Sequence, residues 1–253
     1  MFEANMKEQI QKYEEMCLNA HVALNTFLYD GWLLKFSEGY TERANSVSVL
    51  YPSSKPLDEK FSYCEEIYKK YKLPCLFKLT DLDAELNEIL TKRGYKPVNK
   101  TDLMVCDLKG KAFTPDKDPR IKYVFSSRPD EWLPIFFKVH EINDLHNQDV
   151  FGRMISKVLV DTIYCTLMLD DKPAACASAA IDNGYMLLQN VVVSADLRGQ
   201  GLGKKVCTAI LQKSLEAGAH NSFLQVLQTN EAAVNIYKKL NFEKLYSYWY
   251  MKK

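Results

Sequence analysis

The sequence predicts a mixed α/β protein made of two similar halves in tandem, each a mostly antiparallel sheet flanked by helices. Three observations carry this. Apolar runs of strand length alternate with amphipathic runs of helix length over most of the chain, the order expected of an α/β sheet. Lys111–Arg120, KAFTPDKDPR, joins two prolines to alternating charge and breaks that alternation, as a linker does. The pattern before the break recurs after it. On this reading residues 1–112 and 113–253 are separate domains.

Composition narrows the partners. The chain has 253 residues, with 33 Lys and Arg against 32 Asp and Glu, so no global field favours nucleic acid or an anionic membrane. A small molecule is the expected partner. Seven cysteines, without a C-x-x-C pair and odd in number, read as reduced buried thiols rather than a disulfide framework or zinc knuckle. His21, His140, His146 and His220 lack metal-ligand spacing, and no metal is expected. Met1–Ala20 is rich in Glu and Lys and has no signal-peptide core, which predicts a soluble cytoplasmic protein.

In the second half, Ile121–Phe125 reads as a strand, Asp130–His140 as a helix with Pro134 near its first turn, and Gln148–Leu159 as another helix. Thr162–Leu169 and Ala174–Ile181 form a hairpin about Asp170–Pro173. Asp182-Asn183-Gly184 turns the chain into the strand Tyr185–Val193. The helix Leu202–Ala217 follows, with Leu202, Val206, Ala209, Ile210 and Ala217 as its apolar stripe and Gly218 as its stop. Phe223–Leu227 is a strand, Asn230–Leu240 a helix buried through Ala232, Ala233, Ile236 and Leu240, and Phe242–Met251 an aromatic final strand.

Between the strand and its helix lies Arg198-Gly199-Gln200-Gly201-Leu202-Gly203. Glycines there let the backbone approach a ligand, and the first helical N–H groups point at it with the positive helix end behind them. The expected ligand is an anion. A Walker loop fails because Arg198 stands at its first glycine and Lys205 at its Ser/Thr. A dinucleotide fingerprint fails because its third glycine falls on Lys204.

The remaining pattern, Arg-x-x-Gly-x-Gly, closely resembles the pyrophosphate loop of the GNAT superfamily of N-acetyltransferases. Gln225–Phe242 resembles that superfamily's second signature: a strand, Asn230 at the turn, a helix carrying Tyr237, then Asn241-Phe242 where the family has Gly-Phe. Asn tolerates the left-handed conformation that glycine supplies there. The resemblance implies direct transfer of acetyl from acetyl-CoA to a primary amine. It implies a pyrophosphate held at Arg198, Gly199, Gln200, Gly201, Leu202, Gly203 and Lys204, and a pantetheine arm along Val191, Val192 and Val193 and beside Asn230 and Ala233. Tyr237 is the implied general acid toward the leaving thiolate. Asn230 is equally explained as a helix cap, and Tyr237 by packing. Relatives that carry a Glu base place it on the strand before the loop. Tyr185–Val193 has no carboxylate, which leaves water at Gln189 or Asn190, Asp182 or Glu141 as candidates. The missing carboxylate also keeps open a non-catalytic acyl-CoA-binding or regulatory module.

Setting Gly94-Tyr95 on Asn241-Phe242, a shift of 147 residues, lays Leu76–Leu79 on the strand before Asn230 and the helical pattern Glu59–Tyr71 near the post-loop helix. The first half lacks the chemistry: Tyr51–Pro56 stands where Arg198–Gly203 should, without glycine and with two prolines that donate no N–H, and Leu90 replaces Tyr237. The segment from Gly31 to Val47 resembles the N-terminal domain of tandem members. It is expected to hold no cofactor and to wall the acceptor pocket through Trp32, Tyr40, Arg43 and Asn45, two of which, Arg43 and Asn45, could equally tie a turn to the backbone.

Overall fold

The computed structural model describes residues 2–253, with side chains from residue 6 onward. In chain order the first elements are α1 (Phe2–Ala20), β1 (Asn25–Tyr29), β2 (Trp32–Phe36), β3 (Val47–Val49), α2 (Leu57–Lys70), β4 (Leu76–Thr80), α3 (Ala84–Lys92) and β5 (Lys96–Asp107). They are followed by β6 (Ile121–Ser126), α4 (Pro129–His140), α5 (Leu145–Ile155), β7 (Asp161–Leu169), β8 (Lys172–Asp182) and β9 (Tyr185–Val193). Last come α6 (Leu202–Glu216), β10 (Asn221–Leu227), α7 (Glu231–Lys239) and β11 (Glu243–Lys252).

Two compact units emerge, and they do not divide at the linker. Unit 1 is residues 1–102 together with 246–253, and unit 2 is residues 103–245. The Lys111–Arg120 segment has neither helix nor strand but lies wholly in unit 2, where Phe113 is buried and its N–H donates to Gln212 Oε1 at 3.2 Å. Composition marks a loop there; packing decides which unit owns it.

Unit 1 orders its strands β1-β2-β3-β4 and completes them with the Tyr246–Lys252 portion of β11, antiparallel to β4. Its strands β3 and β4 pair in parallel, Val47 opposite Phe77. Strict alternation gives its two sheet faces different chemistry. Trp32, Leu34, Val47, Phe77, Leu79 and Met251 form one buried core with Phe61, Cys64 and Tyr68 of α2 and Leu90 of α3. The alternate residues are mostly polar or aromatic, Lys35, Ser46, Ser48, Lys78, Tyr246, Tyr248 and Tyr250, with Leu76 packed against Tyr248 and Tyr250.

Unit 2 runs β10-β9-β8-β7-β6, with β5 beside β10. Within it β9 and β10 pair in parallel. Every residue from Ala174 to Ala180 in β8 is buried, so small side chains let α4 and α6 both pack against this strand. The β7–β8 turn is Asp170-Asp171, both left-handed at φ 50° and 60°, which starts β8 two residues before the expected Ala174.

Three helix expectations need correction. The second helix of unit 2 is Leu145–Ile155, not Gln148–Leu159, because Asp144 caps it by accepting from Asn147 N–H at 3.0 Å; Leu159 is left 97% exposed. Ala217 lies on solvent at the end of α6, ahead of left-handed Gly218 (φ 91°), and Cys207, Leu211 and Ser214 complete the buried face instead. Ala232 is also exposed; Ala233, Ile236, Tyr237 and Leu240 do the packing in α7.

The duplication is visible in the elements themselves. Shifted by 147 residues, α3 falls on α7 end for end, and both helices stop at a left-handed residue two positions on, Gly94 at φ 90° and Asn241 at φ 62°. The two halves repeat one plan in this region.

Candidate functional site

The site is built where β9 leaves its parallel partner. Pairing of β9 with β10 runs from Tyr185–Asn221 to Leu188–Leu224 and then stops, although both strands continue. A bulge causes the departure. Asn190 adopts φ 55°, Asn190 and Val191 together oppose Ala177 of β8, and the register resumes at Val192–Cys176. Asn190 Nδ2 donates to Ser178 Oγ at 2.8 Å, which fixes the bulge from the neighbouring strand. Val191, Val192 and Val193 therefore carry backbone groups that β10 does not use, the edge an extended ligand can pair with. Val191 and Val193 themselves pack on the unit 2 core.

After β9 the chain makes one 3-10 turn, Ala195–Leu197, and enters the glycine loop. Gly199 (φ 81°) and Gly201 (φ 77°) are both left-handed, and a Cβ placed on either would meet nothing within 4 Å. The backbone is bare on the side a ligand would approach. Gly203 serves another purpose: a Cβ there would stand 3.1 Å from Ile236 Cδ1 and 3.5 Å from Val193 Cγ2, so its absence lets α6 seat against α7 and β9. Gly201 is the helix N-cap, no side chain caps the first turn, and that turn has no acid. A helix end of about half a positive charge is thus left without an internal anion. Arg198, Gln200 and Lys204 are exposed around it, with Arg198 Nε donating to Val193 O at 3.4 Å, while Lys205 is engaged with Asp116 at 2.9 Å.

Ile236, which touches Gly203, is followed on α7 by Tyr237. Its ring is 8% exposed and lies edge-on to Phe242 at 6.0 Å, and its hydroxyl makes no hydrogen bond among the described residues. Burial pushes the phenol well above its ordinary pKa, so it holds its proton at neutral pH. Asn230 is the N-cap of α7, its Oδ1 accepting from Ala233 N–H at 3.2 Å, which leaves its amide group for other use. Asp182 faces Tyr185 at the far end of β9 from the loop, which removes it as a base; Gln189 and Asn190 sit at the bulge. Cys207 is fully buried with its thiol pushed up to about 12, no state for a nucleophile.

The weaker first-half candidates separate. Trp32 is 1% exposed inside the unit 1 core, edge-on to Phe77 at 5.7 Å. Asn45 is consumed by a turn: Oδ1 accepts from Ser37 and Gly39 N–H at 2.7 and 3.1 Å, and Nδ2 donates to Thr41 O at 2.7 Å. Arg43 donates to Tyr248 OH at 3.3 Å, and Tyr40 is half-buried.

What the sequence missed in unit 1 is how the matching loop is closed. The β1–β2 turn, Asp30-Gly31, presses against Tyr51, since a Cβ on Gly31 would fall 2.6 Å from Tyr51 O. Asp30 then accepts from Ser54 N–H at 3.0 Å, Ser54 Oγ at 2.6 Å and Lys55 N–H at 2.9 Å, and pairs with buried Lys60 at 3.3 Å. The first turn of α2 adds Asp58 and Glu59. An internal carboxylate occupies the anion position. These hydrogen bonds hold Asp30 well below the usual carboxylate range.

Comparison with known proteins identifies the fold as the two-domain GNAT fold. A family model described as probable histone acetyltransferase Rv0428c C-terminal matches residues 8–251. An uncharacterized N-acetyltransferase of Bacillus subtilis, YobR, is 23% identical over 96% of this chain and 98% of its own. Among solved structures, a GCN5-related N-acetyltransferase from Kribbella flavida superposes with a TM-score of 0.70 at 13% identity, covering 97% of this chain and 94% of that one. A tandem GNAT protein from the clavulanic acid biosynthesis pathway gives 0.68 at 15% identity, over 82% and 74%.

Proposed function

Because the chain belongs to the family described as probable histone acetyltransferase Rv0428c C-terminal, we propose that unit 2 carries acetyl from acetyl-CoA directly to a primary amine. The chain is a GNAT-type acyltransferase; the donor and the acceptor class are the proposal. The observation that carries it is the pairing of an uncapped, acid-free helix end at two left-handed glycines with the strand departure beside it.

The residues fit the donor. Backbone N–H groups from Gly199 to Lys204 and the Arg198 guanidinium would hold the pyrophosphate; Val191–Val193 would pair with the pantetheine, with Asn230 and Ala233 flanking it. When bound, the donor supplies an acyl group activated as a thioester. Tyr237, protonated and without a protein acceptor, has a hydroxyl hydrogen to give to a departing sulfur. With no carboxylate on β9, the amine releases its proton to water held near Gln189 and Asn190. The acceptor is a small amine in a cytoplasmic setting; among the described residues no helix is long and apolar enough to cross a membrane.

The test is thiol release from acetyl-CoA across a panel of amino acids, simple amines and a lysine-containing peptide, the last because the family description names histones. Amine-dependent release supports the enzyme. Tight binding of acetyl-CoA with no release under any amine would favour the acyl-CoA-binding module, the reading that the bare β9 supports.

A further inference from the structure

The polar face of unit 1 has more positive charge than it has partners for. Lys35, Ser48, Lys78 and Tyr250 lie on four adjacent strands: Ser48 is opposite Lys78, and Lys78 is opposite Tyr250. Lys35 stands beside Ser46, whose carbonyl accepts from Lys35 N–H at 3.2 Å. From α1, Glu14 closes over this row, taking the Lys78 ammonium on one oxygen and Tyr246 OH on the other at 2.7 Å. Arg43 approaches through Tyr248, whose ring also lies 4.0 Å from Lys78 Nζ.

Among the described residues Glu14 is the one carboxylate that pairs with any of these three cations, and it pairs with Lys78 alone. Asp83, nearby, is taken by the N–H and hydroxyl of Thr80, and Glu42 accepts from Asn99. Lys35 is 2% exposed, and its ammonium has neither ion pair nor hydrogen bond among the described residues; Arg43 likewise has no carboxylate. Around them the buried hydroxyls of Ser46, Ser48 and Tyr250, and His21 Nε2, have no hydrogen-bond partner among the described residues. Burial and the neighbouring Lys78 charge bring Lys35 down to about 7. Burying an unpaired cation beside two others costs free energy that a bound anion would recover.

We infer that the polar face of unit 1 binds a small oxyanion, a carboxylate or inorganic phosphate, held by Lys35, Arg43 and Lys78 with Ser46, Ser48 and Tyr250 as hydroxyl donors. The site is separate in residues and chemistry from the glycine loop of unit 2 and does not depend on the acetyltransferase reading. Oxyanions match the available groups: cationic and hydroxyl donors share this face, and among the described residues no group of three or more His, Cys, Asp or Glu could hold a metal.

The full-length chain is titrated with acetate and, separately, with inorganic phosphate at constant ionic strength balanced by sodium chloride, and thermal stability and calorimetric heat are followed. Saturable stabilisation by one of the two is expected and identifies the anion class. Lys35→Met should weaken that response at least about tenfold, as loss of one charge-assisted hydrogen bond does, while raising Tm without anion. Arg198→Ala, which alters the other anion site, should leave the response unchanged. No saturable response in the wild-type chain, or one that Arg198→Ala abolishes and Lys35→Met does not, overturns the inference. Should Lys35→Met fail to fold, Tyr250→Phe removes one unpartnered hydroxyl without changing shape. It must weaken the response, and an unchanged response counts against the site.

Discussion

The two loops that precede α6 and α2 occupy matching positions in a duplicated plan and have opposite electrostatic states. Before α6, two left-handed glycines, no acid in the first turn and no capping side chain leave the positive helix end open. Before α2, Pro52 and Pro56 remove N–H donors, Asp58 and Glu59 sit in the first turn, and Asp30 spends the donors that remain. An anion site is lost by supplying the anion from within. In unit 1 the counter-ion is covalently part of the chain, so the charge near that helix end is balanced without a ligand.

The comparison can be strained at four points of decreasing effect. Tyr237→Phe should lower kcat by about 10²-fold or more with acetyl-CoA affinity nearly unchanged, the signature of losing a proton donor that acts late. Equal turnover in that variant would remove Tyr237 from the chemistry. Gly201→Val forces a β-branched residue to φ 77° and places methyl groups where the backbone is bare, so acetyl-CoA affinity measured by calorimetry should fall at least about tenfold.

In unit 1, Asp30→Asn should lower Tm by a few degrees at neutral pH. The sign with pH follows from linkage. A carboxyl depressed in the folded state contributes stability above its unfolded pKa, near 3.9, and loses it as pH falls toward the folded value, so the gap between variant and wild type should close in acid. A second coenzyme A site appearing in Asp30→Ala would break the comparison, since the loop's prolines should keep it closed even when emptied. The smallest effect is expected for Asn230→Ala: loss of the cap should cost about 1 kcal/mol of stability by denaturant titration, with a further loss of acetyl-CoA affinity only if its amide contacts the pantetheine.

Much of unit 2 was legible because its signals are local. The glycine loop, the strand Tyr185–Val193 and the Asn230 cap each depend on residues within a few positions of one another. Ala217 and Ala232 misled because alanine is compatible with either side of a helix, and periodicity alone does not orient it. The bulge at Asn190 had one signal, an Asn inside an apolar strand, which tolerates φ > 0 better than its neighbours. Asp30 had none: its partners are more than twenty residues away, brought close only when Gly31 allows the hairpin turn to touch Tyr51. Nor did any local pattern assign Tyr246–Lys252 to the first unit, because its alternation fits a strand in either sheet.

That last assignment bears on how the protein is made. Unit 1 is discontinuous, its final strand being translated only after the whole of residues 103–245. During vectorial synthesis, residues 1–102 must wait with the β4 edge unpaired and Trp249 and Met251 missing from their core, while residues 103–245 can already close. The order of maturation then reverses the order of the chain, and unit 2 reaches its final form before the unit translated first.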